Sequence, residues 1–164
     1  MNDPTALDAQ RLLVREISTL VAEINALPDD EMLWACPKGI ANPIGTLGLH
    51  LAGNLRHFIG IEFGDTGYVR DRTREFESRG PTRQDVIDEL ADTVKDIELV
   101  IPQITVRQLS DPVMVGGVEM PGRRFLLHLC SHAALHVGQA GYLRRILTGN
   151  NESVGVSSIK RLES

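Results

Sequence analysis

The chain has little cysteine, few aromatic residues and no long apolar run, and each shortage closes off a class of protein. Two cysteines in 164 residues, Cys36 and Cys130, cannot build a disulfide framework. Both thiols are expected to be reduced, in a cytoplasmic protein. Aromatics make up 4% of the residues, too sparse for the stacking platforms of single-strand binders. Lys and Arg number 17 against 22 Asp and Glu, a net charge of −5. That balance lacks the basic excess that neutralises phosphates, so no nucleic-acid partner is expected. No stretch approaches the roughly 20 apolar residues that span a bilayer, so no membrane partner is expected. The opening MNDPTALDAQ lacks the basic patch and apolar core of a signal peptide.

What remains is a globular composition, 42% apolar and 24% charged. The length suits a single domain over residues 1–164, with a core that needs no covalent staples and a polar tail over about 150–164.

Four amphipathic segments stand out. In the first, from about Pro4 to Leu27, residues Leu12, Leu13, Ile17, Leu20, Val21, Ile24 and Leu27 recur at helical spacing before Pro28. Residues 28–42 read as a loop with one short turn. Asn42 and Pro43 read as the cap and first position of a second helix reaching about Phe63. Leu47, His50, Leu51, Asn54, His57, Phe58 and Ile61 share one of its faces. Glycines at 45, 48, 53 and 60 weaken this helix but let a neighbouring helix approach closely. The charged stretch 64–81, including the RDRTRE run 70–75, reads as a solvated connection.

Thr82 is expected to cap the third helix, with Asp85 in its first turn and Val86, Leu90, Val94, Ile97 and Ile101 as its stripe. Two short β-branched pieces around Gly116-Gly117 signal a β-hairpin before the last helix. That last helix runs from near Arg123 to Gly149, with Phe125, His128, His132, Leu135, His136, Gln139, Leu143 and Ile146 along one face. Arg144 and Arg145 suit its C-terminal end, or an anionic ligand there. The fold class is all-α, a four-helix bundle.

All five histidines, His50, His57, His128, His132 and His136, fall on two of these helices. His132 and His136 are four residues apart, which puts two imidazoles on one helix face with about 5–6 Å between β-carbons. Such a pair can chelate one ion at about 2.0–2.1 Å from each nitrogen. His128 and His132 have the same spacing. One histidine of the second helix, His50 or His57, would complete a three-histidine site with a fourth position left for water or substrate. Imidazole suits zinc, nickel, copper or iron. The bland alternative is a set of hydrogen-bonded core histidines. Cys130 is expected to pack, and Cys36 to stand exposed without activation.

The segment FLLHLCSHAALHVGQAGYLRRILTG, residues 125–149, resembles the last-helix signature of the DinB-like (YfiT-like) family of metalloproteins. That signature is a histidine, three residues, a second histidine and commonly Arg-Gly-Gln. Here it reads His132, His136 and Val137-Gly138-Gln139, with valine in the arginine position. NPIGTLGLHLAGNLRHF, residues 42–58, resembles the second-helix signature with His50 at the ligand position, and Trp34 also fits.

The resemblance implies an up-down-down-up bundle, frequent homodimers and one divalent ion, usually zinc or nickel. It names His50, His132 and His136 as ligands. Asn54, His57, His128 and Gln139 become pocket or supporting residues. By the same analogy the protein is a thiol-dependent S-transferase acting on small electrophiles, with a low-molecular-weight thiol such as bacillithiol or mycothiol. A metal-dependent hydrolase and a non-catalytic metal-binding stress-response protein are the alternatives.

Overall fold

Helix α1, Pro4–Asn25, buries Ala6, Ala9, Leu13, Ile17, Leu20 and Ile24, the expected stripe extended one turn towards the N-terminus. The computed structural model describes residues 4–155 and 159–162. Residues 156–158 and 163–164 of the polar tail lie outside the described part, as do residues 1–3. A short α2, Asp30–Trp34, supplies the turn expected in the first loop. Its Asp29 cap accepts the Met32 amide hydrogen. Trp34 then reaches across to donate from Nε1 to the Pro81 carbonyl at 2.9 Å, tying this loop to the start of the third long helix.

Helix α3 spans Ile44–Phe58 and continues as a π-helical turn over Ile59–Phe63. The expected Asn42 cap is not used: Pro43 occupies the cap position, and no side chain there accepts a helix amide. Ile61, expected on the inner face, is exposed because the widened turn rotates it outwards. The 64–81 stretch holds a short helix α4, Arg72–Glu77, capped by Asp71.

Helix α5, Arg83–Val100, begins with the Thr82–Asp85 capping box and buries Val86, Leu90, Thr93, Ile97 and Val100. A 3₁₀ turn over Ile101–Gln103 and the five-residue α6, Val106–Ser110, follow; α6 was not foreshadowed by apolar period. The hairpin is present: β1, Pro112–Val115, pairs antiparallel with β2, Val118–Pro121. Gly116 and Gly117 both have positive φ, 58° and 80°, as a two-residue turn with right-handed strand twist demands.

Helix α7 runs from Gly122 to Thr148 and ends at Gly149 in the left-handed region. Its buried side is Phe125, Leu126, Leu129, Ala133, Val137, Ala140 and Leu143. Leu135 and Ile146, expected on that side, are 57% and 60% exposed. The histidine stripe therefore borders the buried face rather than coinciding with it.

Cross-helix contacts set the directions. Cys130 meets Ala9 and Arg144 meets Glu23, so α7 runs parallel to α1. Gly48 packs on Val86, Arg56 bonds Asp96 and Gly64 packs on Val100, so α5 runs parallel to α3. His50 meets His136 while Phe58 meets Phe125, so α7 is antiparallel to α3. The order is up-down-down-up. The apolar core fills the bundle, and the gap between α3 and α7 holds the histidines.

Candidate metal centre

His50 points from the middle of α3 and is buried, 6% exposed. His132 and His136 project from successive turns of α7 and are half-buried. The His50 Nε2 atom lies 3.2 Å from His132 Nε2. Ring centroids are 5.0 Å apart for His50 and His136 and 4.4 Å for His132 and His136. The three rings stand nearly perpendicular in pairs, at 82°, 88° and 87°. One nitrogen from each lies within 4.8 Å of the others, an arrangement that could hold a metal ion.

Three features test the fit of an ion to this set. Tetrahedral ligands at about 2.0–2.1 Å stand about 3.3 Å from each other, close to the His50–His132 separation. The Nε2 atom of His136 is buried without a hydrogen-bond partner, a cost that a ligand on that atom would remove. His132 and His136 are suited to the neutral, lone-pair-bearing form. Burial first, then the neighbouring imidazoles and Arg70, push the His132 pKa down to about 4. Burial also lowers His136, against the opposing hydrogen bond that it gives to Gln139, with His50 adding to the depression. The residues present fit a divalent ion with imidazole preference.

The rings are held from behind. Gln139, one turn beyond His136, places Oε1 2.8 Å from His136 Nδ1. His50 Nδ1 lies 3.0 Å from Oε2 of Glu75. Glu75 is 4% exposed and receives two hydrogen bonds from Arg70, Nε to Oε1 at 2.6 Å and an Nη to Oε2 at 2.7 Å. Burial raises the Glu75 carboxyl, but the bonds and charges of Arg70 and His50 outweigh it and hold the pKa below the ordinary value. Phe76 packs its ring 4.9 Å from His50.

This corrects the solvated-loop reading of residues 70–75. Arg70 and Glu75 fold inward as an ion pair against His50, and Asp71 caps the short helix that delivers them. The sequence carried two usable signals: a helix cap at Asp71 three residues before Arg74, and a lone Phe76 inside a charged run. Gly53 lets the neighbouring helix α4 approach closely, because a methyl there would overlap Oε1 of Glu75.

The remaining sequence candidates are not among the three converging rings. His128 is exposed and stacks at 5.9 Å on His132. His57 is half-buried beside Phe58, with its Nδ1 atom unpartnered. Asn54 is buried one turn beyond His50, and its Oδ1 atom has no partner either. Burial first, then Glu16, raises the Cys130 thiol to about 11, so it is an inert packing group. Cys36 is exposed and free. Arg144 is 1% exposed and bonded to Glu23, Asn150 and Glu152.

A cleft of about 270 Å³ opens one helical turn from the rings on both walls. Leu47 precedes His50 by a turn and Gln139 follows His136 by one. Ile40, Tyr142, Leu143 and Ile146 complete an uncharged lining.

No helix among the described residues is long and apolar enough to cross a membrane. No curated protein gives a significant match to the chain. The sequence model of the DinB superfamily, which includes metal-binding proteins, matches residues 12–140, a span that takes in His50, His132, His136 and Gln139. With that match over most of its length and an all-α bundle to go with it, the chain belongs to the DinB superfamily.

Proposed function

We propose that the protein is a metal-dependent S-transferase that binds one divalent ion, zinc or nickel, through His50, His132 and His136. The observation that carries this reading is the convergence of three imidazoles, with the His136 Nε2 atom left without a hydrogen-bond partner. A bound ion would supply a Lewis-acid centre that lowers the pKa of a thiol at the open fourth position. The protein's own part is positional. Glu75 and Gln139 hold two of the rings from their Nδ1 sides. The neighbouring cleft, with no charged residue in its lining, would seat the apolar part of a small electrophile. A low-molecular-weight thiol such as bacillithiol or mycothiol is the cosubstrate in this reading.

A homodimer and a cytoplasmic location belong to the same reading. Leu127, Leu135, Tyr142 and Ile146 stand 53–73% exposed within one stripe of α7, an apolar surface suited to a second copy. Both cysteines are free, in keeping with a reducing compartment.

The test is elemental analysis of protein purified without a histidine tag, followed by turnover of metal-loaded protein with several thiols and a panel of electrophiles. One ion per chain with thiol-dependent product is the expected result. Product that forms with water alone would make the protein a hydrolase. One tightly held ion with no turnover would make it a metal-binding protein without catalysis.

A further inference from the structure

His50 has two nitrogens, and only one can face an ion on the α7 side. A free neutral imidazole favours the hydrogen on Nε2, the nitrogen that here lies 3.2 Å from His132. In that tautomer Nε2 has no lone pair to give a metal. The structure places an acceptor on the opposite nitrogen. Glu75, ionised by its two-point contact with Arg70, can only accept, so its 3.0 Å contact to His50 Nδ1 requires the hydrogen on Nδ1. The Arg70 nitrogen 3.3 Å from the same atom cannot then donate to it and serves Glu75 instead.

The carboxylate reaches His50 only because α3 has no side chain at residue 53. Sequence positions 53, 70 and 75 thus act on one bond. We propose that Glu75, braced by Arg70 and admitted by Gly53, is a positioning residue that sets the tautomer of His50 and so presents Nε2 as a lone pair before any ion arrives. Gln139 stands in the matching place behind His136, but it is exposed and neutral. The His50 side is therefore the rigid, charge-assisted anchor of the pair. This inference rests on the proposed three-histidine site, and its test separates the two.

The test starts with ¹⁵N-labelled, metal-free wild-type protein and long-range ¹H–¹⁵N correlation spectra of the histidine rings. His50 should carry its hydrogen on Nδ1. In the paired variant Arg70→Met/Glu75→Met, which leaves no buried charge unpaired, His50 should move to the Nε2–H form. Circular dichroism should show the same helix content. Zinc affinity, measured by chelator competition, should weaken by about 10- to 100-fold.

Gly53→Ala should weaken zinc binding in the wild-type background. It should have no further effect on a Glu75→Ala background, where there is no carboxylate to displace. An Nε2–H tautomer in the wild type, or a folded paired variant that keeps both the Nδ1–H form and wild-type affinity, would overturn the proposal. Should wild-type protein take up no zinc, the three-histidine reading fails. The tautomer spectra would still decide what Glu75 does to His50.

Discussion

Two arginine–glutamate pairs that join different parts of the bundle, each with a buried carboxylate, end differently. Arg144 meets Glu23 at 2.7 Å between α7 and α1, and Arg70 meets Glu75 at 2.6 Å beside α3. A glycine admits each carboxylate, Gly141 for Glu23 and Gly53 for Glu75. The Arg144 network then closes on the backbone, with the Asn150 and Glu152 carbonyls accepting one hydrogen from each terminal nitrogen. The Arg70 network does not close. Glu75 passes on to His50, His50 lies against His132, and the chain of contacts stops near a His136 nitrogen with nothing on it. A closed polar network locks a fold in one arrangement; an open-ended one presents an unpaired polar atom that a ligand can satisfy.

The sharpest way to break this contrast is to remove the open end. His136→Ala should reduce bound metal from one ion per chain to none, read by elemental analysis, with helix content unchanged. Retained stoichiometric metal would mean that this residue is no ligand. The next largest effect belongs to the closed network. Arg144→Ala leaves Glu23 buried and unpaired, and thermal or urea unfolding should show a loss of about 3–5 kcal/mol. The affinity of the remaining folded protein for zinc should not change. A large drop in affinity would show that the two networks are coupled.

Gln139→Ala probes the exposed support of the open network. Zinc binding should weaken by about tenfold, while stability stays within about 0.5 kcal/mol of wild type. A further effect is on pH dependence. The folded His132 pKa, about 4, lies below its ordinary value of 6.5. The unfolded chain therefore takes up a proton between pH 6.5 and 4 that the folded, metal-free protein refuses. Stability is full above pH 6.5 and falls as the pH drops towards 4. Urea melts across that window should show a shallower fall in His132→Asn, which lacks the titrating ring.

The four long helices were legible because each obeys one rule throughout: an apolar residue every three or four positions, closed by a proline or a glycine. The hairpin was legible from the two β-branched pieces around Gly116-Gly117. Three histidines could be paired in more than one way from spacing, since His128–His132 and His132–His136 are equivalent on an isolated helix. What separates them is the rotation of α7 against α3, which tertiary packing decides and Leu135 and Ile146 obscured. Arg70 and Glu75 were hidden for a different reason. Burial of a charged pair depends on a partner at residue 53 and a ring at residue 50, neither of which local composition reveals. Asn42 failed as a cap because the chain enters α3 one residue later, through a proline that lacks an amide hydrogen.

The parallel pairing of α1 with α7 has a consequence for assembly. On the ribosome α1 must wait for α7, since Ala9 meets Cys130 and Glu23 meets Arg144, each across 121 positions. Until then Leu13, Ile17 and Leu20 lack part of their cover, and His50 has no imidazole opposite it. Closing so long a loop late makes for slow, non-local folding. Any ion captured at the three rings would then favour the finished chain over its nascent forms.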